Sequence, residues 1–191
     1  MKNKIFTSIL IFAVSAVASC RQPETKVKKE INYQAQGDSI IKATFDTLKS
    51  ALTKAIQQEG LPGAVKYCNE NAFPITAVWT SENITLKRVA ENYRNPMNAP
   101  DSTDSVQWKI FTTAKAKGDA LQPSIVEAPN VIHYYKPILL QPMCSACHGK
   151  KGVDILPAVS TIIDSLYPND KATGFSAGDL RGMWRVSFIQ R

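Results

Sequence analysis

The sequence has 191 residues, of which 44% are hydrophobic and 20% charged, a composition typical of a folded globular protein and not of a disordered chain. Its length fits one domain after a short targeting segment, since domains usually contain ~100–200 residues. The formal net charge of +7 would suit a nucleic-acid partner. However, no aromatic stacking cluster surrounds the Arg94-Asn95-Pro96 segment, and the N-terminus predicts export, so we expect no nucleic-acid binding.

The N-terminal segment has the layout of a secretory signal peptide. Lys2 and Lys4 form a short positive region. The apolar stretch that follows, Ile5 to Ala18, is shorter than the ~20 residues that a membrane span needs. It ends in Val-Ala-Ser-Cys, which resembles the lipobox of bacterial lipoproteins and implies cleavage before Cys20 and a lipid on its thiol.

This layout divides the chain into three parts. We expect a signal peptide over residues 1–19, a polar lipid-anchored tether over 20–37 and the folded domain over 38–191. The expected location is the bacterial cell envelope, on the periplasmic side of a membrane. The alternative is an ordinary secreted protein that is cut elsewhere, with Cys20 left unmodified.

Two helices are predicted at the start of the domain. Apolar residues recur at spacings of three and four over residues 38–59, which predicts a first helix with one buried face. Gly60 ends this helix, and Pro62 suits the first turn of a second one. Cys68 falls on the apolar face of the second helix, so we expect it to point inward.

The remaining elements are strands mixed with single helices. A strand over residues 83–90 places Arg88 on the same face as Ile84 and Leu86. Asn, Pro, Asp and Ser dominate residues 92–105, which predicts an ordered turn segment. Further predicted elements are a helix over 104–117, strands over 124–128 and 131–138, a helix over 157–166 and a strand over 182–189. This order predicts an α+β fold, a mainly antiparallel sheet flanked by helices.

The segment Cys144-Ser145-Ala146-Cys147-His148 has the pattern C-x-x-C-H. Two thiols at this spacing can add to the two vinyl groups of one porphyrin, and the adjacent histidine can bind its iron. A thioredoxin-type thiol pair does not require the histidine, and a zinc site needs a second ligand pair that the sequence lacks. The motif therefore predicts one covalent haem c in a glycine-flanked loop, attached to Cys144 and Cys147 and ligated by His148.

One cysteine is left over in this assignment. Cys20 is assigned to the lipid and the motif cysteines to haem, so Cys68 has no partner for an internal disulfide. Ligation of the iron at its second axial position would protect such a thiol. From the residues alone, five side chains compete for that position: Cys68, His133, Met97, Met143 and Met183.

Four blocks of sequence follow one another over nearly the whole predicted domain. They are Ala64-Val65 with Cys68 and Ala72; Arg94-Asn95-Pro96 through Asn98-Ala99-Pro100; Tyr135 and Pro137 before the C-x-x-C-H motif and Gly149; and Tyr167-Pro168-x-Asp170-x-Ala172-Thr173-Gly174 with Gly178-Asp179-Leu180-Arg181-Gly182. Together they resemble a family of PAS-like haem-binding domains, which occur as free-standing c-type cytochromes and as sensor modules of signalling proteins. The resemblance implies a PAS-like fold, with Cys68 as the sixth iron ligand opposite His148.

Other side chains are candidates for contacts with the cofactor. Arg94 and Arg181 are expected to pair with the haem propionates in bidentate geometry, the alternative being that they brace a loop or face solvent. Tyr135, which belongs to the third block, is counted with them as a cofactor-binding residue.

These features predict an exported, lipid-anchored monohaem c-type cytochrome. A thiolate ligand would lower its reduction potential, because it stabilises ferric over ferrous iron. We therefore expect a haem-based redox or gas sensor that acts through an unknown redox or signalling protein; the alternative is a simple periplasmic electron-transfer cytochrome. We do not expect an enzyme, since a peroxidase needs an acid–base residue at an open haem face and only His133 is available.

Overall fold

A four-stranded sheet forms the centre of the fold. The computed structural model describes residues 32–190, so the predicted signal peptide, Cys20 and the tether as far as residue 31 lie outside the described residues. The helices are α1 (Tyr33–Ala77), α2 (Ser102–Lys117), α3 (Ser145–His148) and α4 (Pro157–Leu166), and the strands are β1 (Ile84–Val89), β2 (Ser124–Ala128), β3 (Val131–Leu139) and β4 (Leu180–Ile189).

The strands lie in the order β1-β4-β3-β2, and every neighbouring pair is antiparallel. The last strand of the chain therefore occupies a central position, where β4 is buried along most of its length. The α+β class and the antiparallel sheet that the sequence predicts are confirmed. The predicted strands lie within two residues of those observed, because their alternating patterns mark where each strand crosses the core.

Helix α1 consists of two helical parts joined at Gly60. This glycine has φ +69° and ψ −175°, a backbone conformation that is essentially restricted to glycine. The break agrees with the predicted helix end, and Pro62 lies in the first turn of the second part. The first part begins at Tyr33 instead of near residue 38, because the side chain of Asn32 caps it by accepting a hydrogen bond from the Ala35 N–H.

Each face of the sheet packs against a different helix. On one face, Ile40 and Ile41 of α1 contact Tyr134 of β3 and Trp184 of β4. Gly37 lets α1 approach closely, since a Cβ at this position would overlap the ring of Tyr134. Side chains of α2 cover the other face together with strand residues, and this core contains Val89, Trp108, Phe111, Tyr135, Leu180 and Met183.

A third cluster joins the second part of α1 to α4. Val65 packs with Ile155, Val159 and Ile163, and Cys147 lies against the same group. This contact holds the C-x-x-C-H segment beside α1. Over residues 32–190, no helix combines the length and the apolar character needed to cross a membrane.

Candidate functional site

A cavity of about 300 Å³ lies between both parts of α1, the sheet and the C-x-x-C-H segment. This volume is at the lower end of the range of small-molecule and cofactor sites. Its walls are mostly apolar, with Leu52 and Ile56 from the first part of α1, Val65 from the second part and Trp184 from β4. The cavity is therefore suited to a mostly apolar ligand.

The C-x-x-C-H segment forms one wall of this cavity. It is not the loop expected from the sequence: Cys144 ends a 3₁₀ turn and Cys147 and His148 lie on the single turn α3. Both thiols and the imidazole border the cavity. Gly149 closes the turn with a hydrogen bond of 2.7 Å from its N–H to the Ser145 carbonyl, where a Cβ would clash with Asp154.

The imidazole of His148 is oriented by the loop that precedes β4. Its Nδ1 lies 2.8 Å from the carbonyl oxygen of Ala172. A carbonyl only accepts, so Nδ1 carries the hydrogen and Nε2 keeps a free lone pair. Burial, with the charges of Arg181 and Arg94, holds the pKa of His148 well below its usual value, which favours the neutral, ligating form.

Cys68 borders the cavity from the second part of α1. It faces inward as the helical pattern predicts. Burial raises the pKa of the Cys68 thiol, while the positive charges of Arg88 and Arg94 act in the opposite direction. The two guanidinium groups thus offset part of the cost of a thiolate in an apolar wall.

The other candidates for the second axial position are separated by the fold. Met183 lies in the core on the α2 side of the sheet. His133 Nδ1 is 2.8 Å from Ser187 Oγ, and neither residue borders the cavity. Met97 is 60% exposed and lies outside the cavity lining. Met143 alone among these alternatives borders the cavity, with 47% of its surface exposed.

Arg94 borders the cavity, but most of its donors are already used. Its Nε and Nη2 each lie 3.1 Å from a carboxylate oxygen of Asp170, and Nη2 also donates to the Cys147 carbonyl at 2.6 Å. This ion pair is almost fully buried. Arg94 therefore braces the C-x-x-C-H turn against the loop before β4. This is the loop-bracing role that was the alternative to propionate binding.

Arg181 reaches the cavity because of a bulge in β4. Ile138 pairs with Gly182 and Leu139 pairs with Leu180, so Arg181 is an extra residue without an opposite partner on β3. Bulges re-aim side chains, and here Arg181 and Gly182 both border the cavity. Burial, followed by the charge of Arg94, lowers the pKa of Arg181 to about 10.

Arg88 is a cavity residue that the site prediction missed. It lies opposite Trp184 in the β1–β4 pairing, and both side chains border the cavity. Burial lowers the pKa of this guanidinium. The sequence pattern could have identified it, because Arg88 falls on the same strand face as the apolar residues Ile84 and Leu86.

Tyr135 requires a correction, because it does not border the cavity. Its ring is fully buried on the α2 side of the sheet, and its hydroxyl donates to Asp104 Oδ1 at 3.0 Å. Adjacent strand residues point to opposite faces, so Tyr134 turns toward α1 while Tyr135 turns away. The structure thus brings together Cys68, Arg94, Cys144, Cys147, His148 and Arg181 from the predicted site, and leaves out Tyr135.

The donor set fits a haem. Apolar walls, two thiols with an adjacent neutral imidazole and several guanidinium groups match a macrocycle with two vinyl groups, an iron and two carboxylates. Fold and site define an α+β protein whose cofactor-sized cavity is bordered by a C-x-x-C-H turn. The family model Tll0287-like (Tll0287) matches residues 21–188, so the chain belongs to this family.

The chain is also similar in sequence and fold to a solved structure. It is described as the crystal structure of the cyanobacterial heme-protein Tll0287, with 26% sequence identity and a TM-score of 0.58. The alignment covers 84% of this chain and 98% of that protein. No curated protein matches the sequence significantly.

Proposed function

We propose that this protein is a monohaem c-type cytochrome with haem attached to Cys144 and Cys147 and ligated by His148. The observation that carries the proposal is that all three side chains border one apolar cavity, with Nε2 of His148 free to bind a metal. The similarity to a cyanobacterial heme-protein supports the same cofactor. When bound, the haem would supply a one-electron redox centre.

Cys68 is the proposed second axial ligand. It lies on α1 and His148 on α3, so two different elements present a sulfur and an imidazole to the same cavity. Met143 is the competing side chain, but its large exposed fraction places it at the rim. A thiolate ligand would favour the ferric state and a low reduction potential.

A redox or gas sensor is the role that this site supports best. Cys68 lies on the second part of a helix that is interrupted at Gly60, so its position depends on a helix that is not one rigid rod. We propose a PAS-like sensor domain, exported and anchored through lipid on Cys20 to the periplasmic side of a membrane, that acts on a redox or signalling protein. His133 lies away from the cavity, which favours this role over a peroxidase.

The covalent cofactor is tested with protein produced in a host that attaches haem c. We expect a coloured protein with the mass of one haem added, and Cys144→Ala/Cys147→Ala should lack the covalent haem. A colourless wild-type protein with the mass of the bare polypeptide would refute the proposal.

The Cys68 assignment is tested by Cys68→Ala. We expect a changed ferric optical and EPR spectrum, because the sulfur donor is lost. Met143→Leu is the matched control, since it removes the other candidate at the cavity while keeping a similar volume. A spectrum altered by Met143→Leu but not by Cys68→Ala would assign the ligand to Met143.

Electron transfer is the second candidate, favoured by the exposed rim of the cavity. Leu139 and Met143 border the cavity and are 44% and 47% exposed. An apolar rim next to a redox centre would suit a transient redox partner. Fast reversible cycling with both axial ligands retained favours this role, whereas slow reduction with ligand exchange favours the sensor.

A further inference from the structure

Four cationic side chains border the cavity: Lys49, Arg88, Arg94 and Arg181. Among the described residues, the cavity lining contains no Asp or Glu. Positive charge that faces an apolar space is costly unless an anion pairs with it. Lys49 is exposed and Arg94 is already paired with Asp170, so a negatively charged ligand would neutralise chiefly the charges of Arg88 and Arg181.

The three arginines differ in the donors they have left. In Arg94, Nε and Nη2 are both engaged by Asp170 and by backbone carbonyls. Arg88 has one long contact, from Nη2 to the Ala72 carbonyl at 3.4 Å, and Arg181 donates from Nη1 to the Asn92 carbonyl at 3.1 Å.

The Nε atoms of Arg88 and Arg181 are buried without a hydrogen-bond partner within residues 32–190. A buried donor without a partner costs about 1–3 kcal/mol, so such atoms are seldom left alone in a folded protein. A side-on bidentate contact with a carboxylate uses Nε and the adjacent Nη2. Arg181 is tethered through Nη1, which leaves this pair for a ligand. In Arg88, Nε has no partner, and Nη2 carries a second hydrogen besides the one that reaches the Ala72 carbonyl at 3.4 Å.

We propose that Arg88 and Arg181 bind the two haem propionates, one each, and that Arg94 does not. This inference rests on the proposed function, because it concerns the carboxylates of the same cofactor. Arg88 enters from β1 and Arg181 from the bulge of β4, so the two carboxylates are held at different points of one wall. Arg94 instead fixes the C-x-x-C-H turn through Asp170 and the Cys147 carbonyl.

Resonance Raman spectra of the full-chain holoprotein test this assignment, because the propionate bending bands report hydrogen bonds to the carboxylates. Arg88→Gln and Arg181→Gln should each shift these bands to lower frequency. Arg94→Gln should leave them in place while lowering the thermal unfolding temperature. Arg185→Gln is the matched control: its Nε is also buried without a partner, but its guanidinium contacts Asp101 and Asp104 outside the cavity, so the bands should stay unchanged.

Unshifted bands in both Arg88→Gln and Arg181→Gln, or a shift in Arg94→Gln alone, would overturn the proposal. If a glutamine variant does not fold, Arg88→Lys and Arg181→Lys keep the charge and lose the planar fork, and should give a smaller shift in the same direction. A coloured wild-type protein with unshifted variants refutes only this inference. A colourless wild-type protein refutes the proposed function and this inference with it.

Discussion

Tyr134 and Tyr135 show how one step along a strand separates two environments. Tyr134 packs against α1, and Tyr135 lies under α2 with its hydroxyl on the buried carboxylate of Asp104. Asp104 also accepts from Arg185 Nη1 at 2.8 Å. Tyr135 thus stabilises a polar network in the core, at a distance from the proposed haem site.

Tyr135→Phe tests this structural role. Loss of one buried hydrogen bond should lower the free energy of unfolding by about 1 kcal/mol, measured by urea denaturation. The optical spectrum of the haem should stay unchanged. A shifted Soret band with an unchanged free energy of unfolding would support the original assignment of Tyr135 as a cofactor-binding residue.

Asp101 is the N-cap residue of α2, and its contacts in the folded protein lower the pKa of its carboxyl group. Its Oδ1 accepts from the Asp104 N–H at 2.9 Å, and its Oδ2 accepts from Arg185 Nη1 at 2.5 Å. Burial acts to raise the pKa of Asp101, but these hydrogen bonds and the Arg185 charge outweigh it and lower the pKa to about 2.

The stability of the wild type relative to Asp101→Asn should depend on pH. The folded pKa of Asp101 lies below its unfolded value of about 3.9, so its ionised form stabilises the fold above that pH. This contribution is lost as the pH falls toward 2. Unfolding curves should show the wild type modestly more stable at pH 7 and no advantage near pH 2, the effect being small because about half of the Asp101 side chain is exposed.

Comparing Asp101→Ala with Asp101→Asn separates the stability contribution of the helix cap from that of the negative charge. Asparagine still caps the helix and alanine does not, so the alanine variant should lose a further ~1 kcal/mol at every pH. Equal stability of the two variants would show that the cap contributes nothing.

At the scale of elements, the break in α1 determines where Cys68 lies. Gly60 has φ +69° and ψ −175°, while a Cβ at this position would meet nothing closer than Pro62 Cδ at 3.8 Å. The glycine is therefore required by its backbone conformation and not by crowding.

Gly60→Ala should lower the free energy of unfolding by ~1–3 kcal/mol and perturb the haem spectrum, because the second part of α1 must rotate to relieve the strain. Gly118→Ala is the matched control: Gly118 has φ +78° at the end of α2, and its Cβ would also find open space. It should cost stability without altering the spectrum. A spectrum unchanged by Gly60→Ala would mean that the break does not position Cys68.

For the whole molecule, the cavity lies between the central sheet and the part of α1 that follows its direct sheet contacts at Ile40 and Ile41. Contacts such as that between Val65 and Val159 hold the second part of α1 on α4. The side of α1 that faces the sheet borders the cavity, so it has few packing contacts there. A ligand that binds only the folded state stabilises it.

The haem-free chain, made as Cys144→Ala/Cys147→Ala and stripped of any non-covalently bound haem, should therefore unfold at lower temperature than the holoprotein. Hydrogen exchange should increase most in the second part of α1 and in α3, and least in the central strands β3 and β4. Uniform loss of protection across the sheet would contradict this view of the cavity as a local void.

Some features could be predicted from the sequence because they depend on local pattern. Alternation marked the strands, the Gly60–Pro62 pair marked the interruption of α1, and Gly118 marked the end of α2. The C-x-x-C-H motif brings two thiols and an imidazole together within five consecutive residues, where the chain itself limits the distances between them. The inward orientation of Cys68 followed from helical periodicity.

Other features depend on contacts between distant segments, which no local pattern encodes. The bulge that turns Arg181 toward the cavity exists only in the pairing of β3 with β4, and the use of Arg94 as a brace requires Asp170 in the loop before β4. The face occupied by Tyr135 depended on which helix covers which side of the sheet. Tertiary packing decided these points, because it determines which buried donors already have a partner and which remain free for a ligand.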